Sequence, residues 1–193
     1  MSCETMSTVL RTAVFIIALG IATLSHGAEP VLDNERVTVW DTTTALPPAQ
    51  HDFVAVSLSH KGRAVFGHMG DIAGKAGVRT VVIEIKDTVG PLPNGSGYPL
   101  AFPRAHATKL LENDKVVVWD NVWRAGKPTP MHFHDKDALV VFEATGALQS
   151  TALDGKQVVN EFKFAQIRFS SRGRVHTEVL VHGEGHAIIT ELK

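Results

Sequence analysis

Short segments rich in valine, isoleucine, phenylalanine and threonine recur along the chain at 37–40, 53–58, 63–66, 78–85, 115–119, 138–142, 157–164, 166–170, 176–181 and 187–192. Runs of this length and composition predict β-strands. Turn residues separate them, among them Asp154-Gly155 and the Gly183–Gly185 stretch. After residue 28 no long segment carries a 3.6-residue apolar period. Many short strands with frequent turns predict an all-β sandwich, jelly roll or barrel.

The strand pattern is partly repeated. LDNERVTVWD at 32–41 resembles LENDKVVVWD at 111–120, and VRTVVIEIK at 78–86 resembles AIITELK at 187–193. Repetition on this scale implies two related supersecondary units. Between them, residues 87–108 hold four prolines and three glycines, the composition of a linker or a wrapping loop. The expected organisation is therefore a first module at 29–86, a linker at 87–108 and a second module at 109–193. The first module is shorter and lacks a counterpart of the hairpin at 146–164.

The N-terminus breaks the strand pattern. An apolar run at 13–24 follows Arg11 and precedes Ser25-His26-Gly27-Ala28. A positive flank, a short apolar core and small residues predict a secretory signal peptide over 1–28, cleaved near Gly27 or Ala28. The run is short for a membrane span. Export, to the periplasm in a Gram-negative source, is the expected localisation. The single cysteine, Cys3, falls in that segment, so the mature chain offers no disulfide, thiolate ligand or cysteine nucleophile. The formal net charge is −1, with no basic block to suggest nucleic acid and no second apolar stretch to suggest a membrane span. A small molecule is the expected partner.

The candidate chemistry lies in the second module. His132 and His134 are two residues apart, so on a strand they share a face. His176, from a later strand, can complete a three-imidazole metal site. Glu178 follows His176 by two residues and shares its face, which makes it a candidate fourth ligand or general base. Asp137 is a second candidate carboxylate, although it reads better as a strand-entry residue, and Glu143 reads as solvent-facing. Arg168 and Arg174 are candidate anion-binding groups, because a guanidinium fork matches a carboxylate. Trp119 and Trp123 read as core residues or as the mouth of a pocket. His182 is too far along its strand to join the site. In the first module His51, His60 and His68 form no paired motif, and a lone histidine there reads as structural.

These residues carry a resemblance to the cupin superfamily, and the duplication makes the chain resemble a bicupin with a degenerate first module. The family's first motif runs glycine, five residues, His-x-His, three or four residues, glutamate, six residues, glycine. Gly126, His132, His134 and Gly146 fall in register, while Ala138 or Leu139 stands at the glutamate position. In the second motif Gly173 and His176 match, while Ala165, Ser171 and Leu180 stand where glycine, proline and asparagine are usual. The resemblance covers about 113–193 well and 34–87 weakly.

It implies a jelly-roll β-barrel with one divalent transition metal (Fe, Mn, Zn, Ni or Cu) on His132, His134 and His176. Without the family glutamate the site carries no negative ligand, so the metal would keep its full charge and attract an anionic oxygen donor. Ligand type does not separate the metals at an imidazole site. Two functional classes follow. One is a mononuclear metalloenzyme, with oxygen-dependent oxidation of a small anionic substrate ahead of hydrolysis or isomerisation. The other is a non-catalytic exported protein that binds a small molecule or metal. Pairing of such barrels through a sheet edge makes a homodimer an open option.

Overall fold

A computed structural model describes residues 29–58 and 63–193. The signal-peptide reading and His60 lie outside the described residues. Within them the protein is built of strands without a helix: β1 (Leu32–Asp33), β2 (Val37–Thr42), β3 (Phe53–Ser57), β4 (Arg63–Gly67), β5 (Thr80–Ile85), β6 (Ala107–Glu112), β7 (Val116–Trp123), β8 (His132–Phe133), β9 (Asp137–Phe142), β10 (Gly146–Ala152), β11 (Gln157–Phe162), β12 (Ile167–Ser170), β13 (Val175–Gly183) and β14 (Gly185–Leu192). Among the described residues no helix is long and apolar enough to cross a membrane.

The strands form three antiparallel sheets. Two have five strands, in the orders β1-β2-β5-β3-β4 and β12-β9-β14-β7-β6, and one has four, in the order β11-β10-β13-β8. The two five-stranded sheets repeat one another. In the first, Val37 pairs with Ile85 and Val39 with Ile83. In the second, Val116 pairs with Leu192 and Val118 with Thr190. The aligned sequence repeats thus occupy equivalent positions in two sheets of the same strand order. The four-stranded sheet belongs to the second half of the chain and, among the described residues, has no counterpart in the first.

Alternation along the strands decides how these layers stack. On β7, Val116 and Val118 join a core with Val37, Val39, Val54, Val56, Val81 and Ile83 of the first module. Val117 and Trp119 point the other way, into a core with Phe142, Leu148, Phe162 and Leu180. The second module's five-stranded sheet is therefore covered on both faces, by the first module's sheet on one and by the four-stranded sheet on the other. This explains why its strands read as nearly continuous apolar runs rather than as clean alternation. The two sheets of the second module enclose the barrel interior. A buried ion pair, Arg36 Nη1 to Asp137 Oδ2 at 2.5 Å, ties the modules together.

Candidate metal centre

β8 and β13 place the three histidines. They run antiparallel with His132 directly opposite His176. The pairing continues beyond β8, where His134 N donates to Arg174 O at 2.9 Å and Gly173 N donates to His134 O at 2.7 Å. Gly173 takes φ +86°, a conformation that favours glycine, and so closes the turn that leads into His176. Gly146 has a different reason to lack a side chain: a Cβ there would stand 2.7 Å from His182 O.

The result is a buried cluster. His132, His134 and His176 each keep under a tenth of their surface exposed. His132 Nε2 is 3.2 Å from His134 Nε2, which is 2.9 Å from His176 Nε2. Outside the cluster, His132 Nδ1 lies 2.8 Å from Pro130 O, an acceptor, so this nitrogen carries the proton and Nε2 turns its lone pair inward. His176 Nδ1 lies 2.9 Å from Ser150 Oγ. Burial is the main cause of depressed basicity at all three: His132 is lowered, His134 falls to about 2 and His176 to about 4. Neutral imidazoles with converging Nε2 atoms are what a divalent metal requires. Donors bound to one ion at about 2.1 Å lie roughly 3 to 3.4 Å apart, so the observed spacing fits. Among the described residues the histidine, cysteine and carboxylate groups that could hold an ion comprise this one cluster.

A cavity of about 290 Å³ opens beside the histidines. Glu178 lies in its wall, with Oε1 3.9 Å from His176 Nε2. Its other oxygen accepts from Trp123 Nε1 at 3.0 Å and faces Arg104 Nη1 at 3.5 Å. Burial pushes the Glu178 carboxyl up, but Arg104, joined by the imidazoles once acid protonates them, outweighs it and holds it at about 2. Arg168 and Arg174 also line the cavity. Arg168 Nη2 donates to Glu161 O at 3.3 Å and its guanidinium lies over the Phe142 ring, while Arg174 Nε donates to Ser171 O at 2.8 Å.

Other candidates are placed elsewhere. Asp137 points to the inter-module side, where it accepts from Arg36 and from Arg172 N. Glu143, read from sequence as solvent-facing, is buried, with Oε2 3.2 Å from His186 Nδ1, because β9 ends under the neighbouring strand β14. Trp119 is a core residue whose Nε1 donates to Glu191 at 2.9 Å, whereas Trp123 lines the cavity. His182 is exposed and contacts Glu161, and His68 is exposed beside Phe66. Sequence reasoning missed Arg104 and Ser150. Ser150 sits opposite Glu178 on β10, a relation that only the strand register shows. Arg104 comes from the Pro/Gly-rich stretch, where no periodicity marks an inward-facing residue.

The fold and site define an all-β barrel protein with a buried three-histidine cluster at one end of its cavity. Comparison with solved structures bears on the fold alone. An IolB-like protein from Salmonella typhimurium superposes with a TM-score of 0.53 at 10% identity, over 88% of this chain and 90% of that one. A cupin 2 conserved barrel domain protein from Leptotrichia buccalis gives 0.46 at 13% identity, over 85% and 87%. A cupin domain from Bordetella pertussis gives 0.42 at 24% identity, over 51% of this chain and 99% of that one. No protein-family model and no curated protein sequence matches the chain. The chain shares the fold of the Salmonella IolB-like protein, and that likeness is too long to be confined to the second half of the chain.

Proposed function

We propose that this chain is an exported cupin metalloprotein in which His132, His134 and His176 hold one divalent transition metal and the adjoining cavity takes a small anionic molecule. The observation that carries the reading is the convergence of three buried imidazole Nε2 atoms 2.9 and 3.2 Å apart, with the outer nitrogen of His132 spent on a backbone carbonyl. Export rests on the apolar run at 13–24 and the small residues after it.

A metal on three neutral imidazoles supplies Lewis acidity and open positions for oxygen or substrate, and oxygen-dependent oxidation is the chemistry we favour. The chain's own residues do the rest. Arg168 and Arg174 draw an anionic group into the cavity. Phe102, Trp123 and Phe142 wall it and exclude water. Glu178 presents Oε1 beside the histidines as an ionised carboxylate that can take a proton from a bound ligand, while Trp123 and Arg104 fix its other oxygen. That fixed carboxylate favours the catalytic reading over simple binding, since a passive pocket for anions gains nothing from a negative group at its floor.

Mass-spectrometric metal analysis of the protein purified without chelator tests the proposal. Close to one equivalent of a single metal is expected, falling below about a tenth in His132→Ala/His134→Ala because two of three ligands are lost. Absence of metal in the parent protein after reconstitution would overturn it.

A further inference from the structure

The charges around the cavity do not balance. Three guanidinium groups line it, those of Arg104, Arg168 and Arg174, against one carboxylate, Glu178. Arg104 and Glu178 face each other at 3.5 Å and offset one another. Arg168 and Arg174 have only backbone carbonyls as hydrogen-bond partners, and among the described residues neither has a carboxylate within ion-pair distance. Three guanidinium groups against one carboxylate leave a net positive charge around a partly buried space, and the histidines, being neutral, add nothing to offset it. Burial lowers the basicity of both guanidinium groups, as it does for cations removed from water. Arg174 also bears on all three imidazoles, so the positive field reaches from the mouth to the histidine end.

The remaining wall is flat and apolar. Phe102, Trp123 and Phe142 line it, each ring with an arginine of the site over it, and Val140, Leu148 and Ile189 complete the apolar lining. Trp123 and Phe142 stack 6.3 Å apart, and Phe142 stacks on Phe162 at 4.3 Å, so the rings are fixed by packing rather than free to fold over a flexible chain. The polar residues of the wall, Ser150, Asn160, Ser170 and Ser171, can orient a ligand but cannot neutralise it. A cavity of about 290 Å³ is at the small end of the range for ligand pockets.

From this arrangement we propose that the ligand is a small dicarboxylic acid with a flat, unsaturated body. The Arg168 guanidinium takes one carboxylate and that of Arg174, whose backbone pairs with His134, takes the second, with the unsaturated body between them along the aromatic wall. A single carboxylate would leave one guanidinium charge unmatched in a space partly removed from water. A saturated, flexible diacid would forgo the ring contacts and lose more conformational freedom on binding. The inference rests on the proposed function only in placing the ligand beside the same three histidines; the two arginines and the ring walls do not depend on a metal.

Binding is measured by isothermal titration with benzene-1,3-dicarboxylate, benzoate and benzamide, on metal-free and on metal-loaded protein. The dicarboxylate is expected to bind about tenfold or more tightly than benzoate in both forms, with benzamide weaker still. Arg168→Gln and Arg174→Gln are each expected to weaken dicarboxylate binding by about tenfold, with little effect on benzamide. Equal affinities for the three probes, or no binding by any, would overturn the inference without reference to a variant's folding. Metal content measured on the same samples separates the two readings: metal bound without discrimination among the probes sinks the ligand class alone, and discrimination without metal sinks the metal centre alone.

Discussion

Gly173 shows what one residue does for the site. Its φ of +86° closes the turn before His176, and an added Cβ would meet nothing nearer than Leu92 Cδ1 at 3.6 Å. The cost of Gly173→Ala is therefore conformational rather than steric, about 1 kcal/mol, seen as a fall of about 2–4 °C in melting temperature. An unchanged or higher melting temperature would refute it. The histidines set a second residue-scale effect. Their folded basicity lies below the ordinary value near 6.5, at about 4 for His176 and about 2 for His134. As pH falls below 6.5 the unfolded chain takes up protons that the folded, metal-free protein refuses, so stability drops. Each of these two imidazoles is expected to cost about 2 kcal/mol between pH 7 and pH 5. Glu178 adds a loss of the same sign below its ordinary value of 4.5, because its folded carboxyl is held down at about 2. Urea unfolding of metal-free protein at the two pH values checks this, and a stability that is flat or higher at pH 5 would contradict it. At this scale the sequence carried the His132, His134 and His176 set through strand spacing and motif register. It could not carry Arg104, whose role depends on a loop path that leaves no local periodicity.

At the scale of elements, strands with strong β-branched content were legible and weak ones were not. The ten segments read from sequence all fall on strands. The two-residue β1 and β8 were too short to show a period, and β6 (Ala107–Glu112) begins inside the Pro/Gly-rich stretch, with only Thr108 β-branched. β8 matters most, since its two residues pair His132 with His176. The Pro/Gly-rich stretch also does more than connect the modules. Ala101 N donates to Phe133 O and Phe133 N donates to Pro99 O, so it lies against β8 as an added strand-like edge. That contact delivers Phe102 and Arg104 to the cavity, and the Arg104 guanidinium then lies 4.6 Å from the Phe102 ring centre and 5.4 Å from that of Trp123. Composition alone distinguishes a loop from a strand but not a spacer from a wall.

For the whole molecule, the stacking of the sheets decides whether the site can exist in the second module alone. The β12-β9-β14-β7-β6 sheet buries Val116, Val118, Leu139, Val141, Ile188 and Leu192 against the first module. At roughly 1.5–3 kcal/mol for each fully buried aliphatic side chain, removing that cover would forfeit about 10 kcal/mol or more, comparable to the whole stability of an ordinary domain. The loss also includes the Arg36 partner of Asp137, leaving a carboxylate of the barrel's inter-module face without its buried counter-charge. A chain comprising 87–193 keeps every residue of the histidine cluster and of the cavity wall. It should nevertheless fail to give a soluble, cooperatively unfolding monomer, and should instead aggregate or pair through the uncovered sheet. Sedimentation and thermal unfolding of that fragment beside the 29–193 chain make the comparison. A monomeric fragment with an unfolding transition as sharp as that of the longer chain would show that the first module is dispensable. Insolubility of the fragment would make the first module the layer that keeps the histidine-bearing barrel folded.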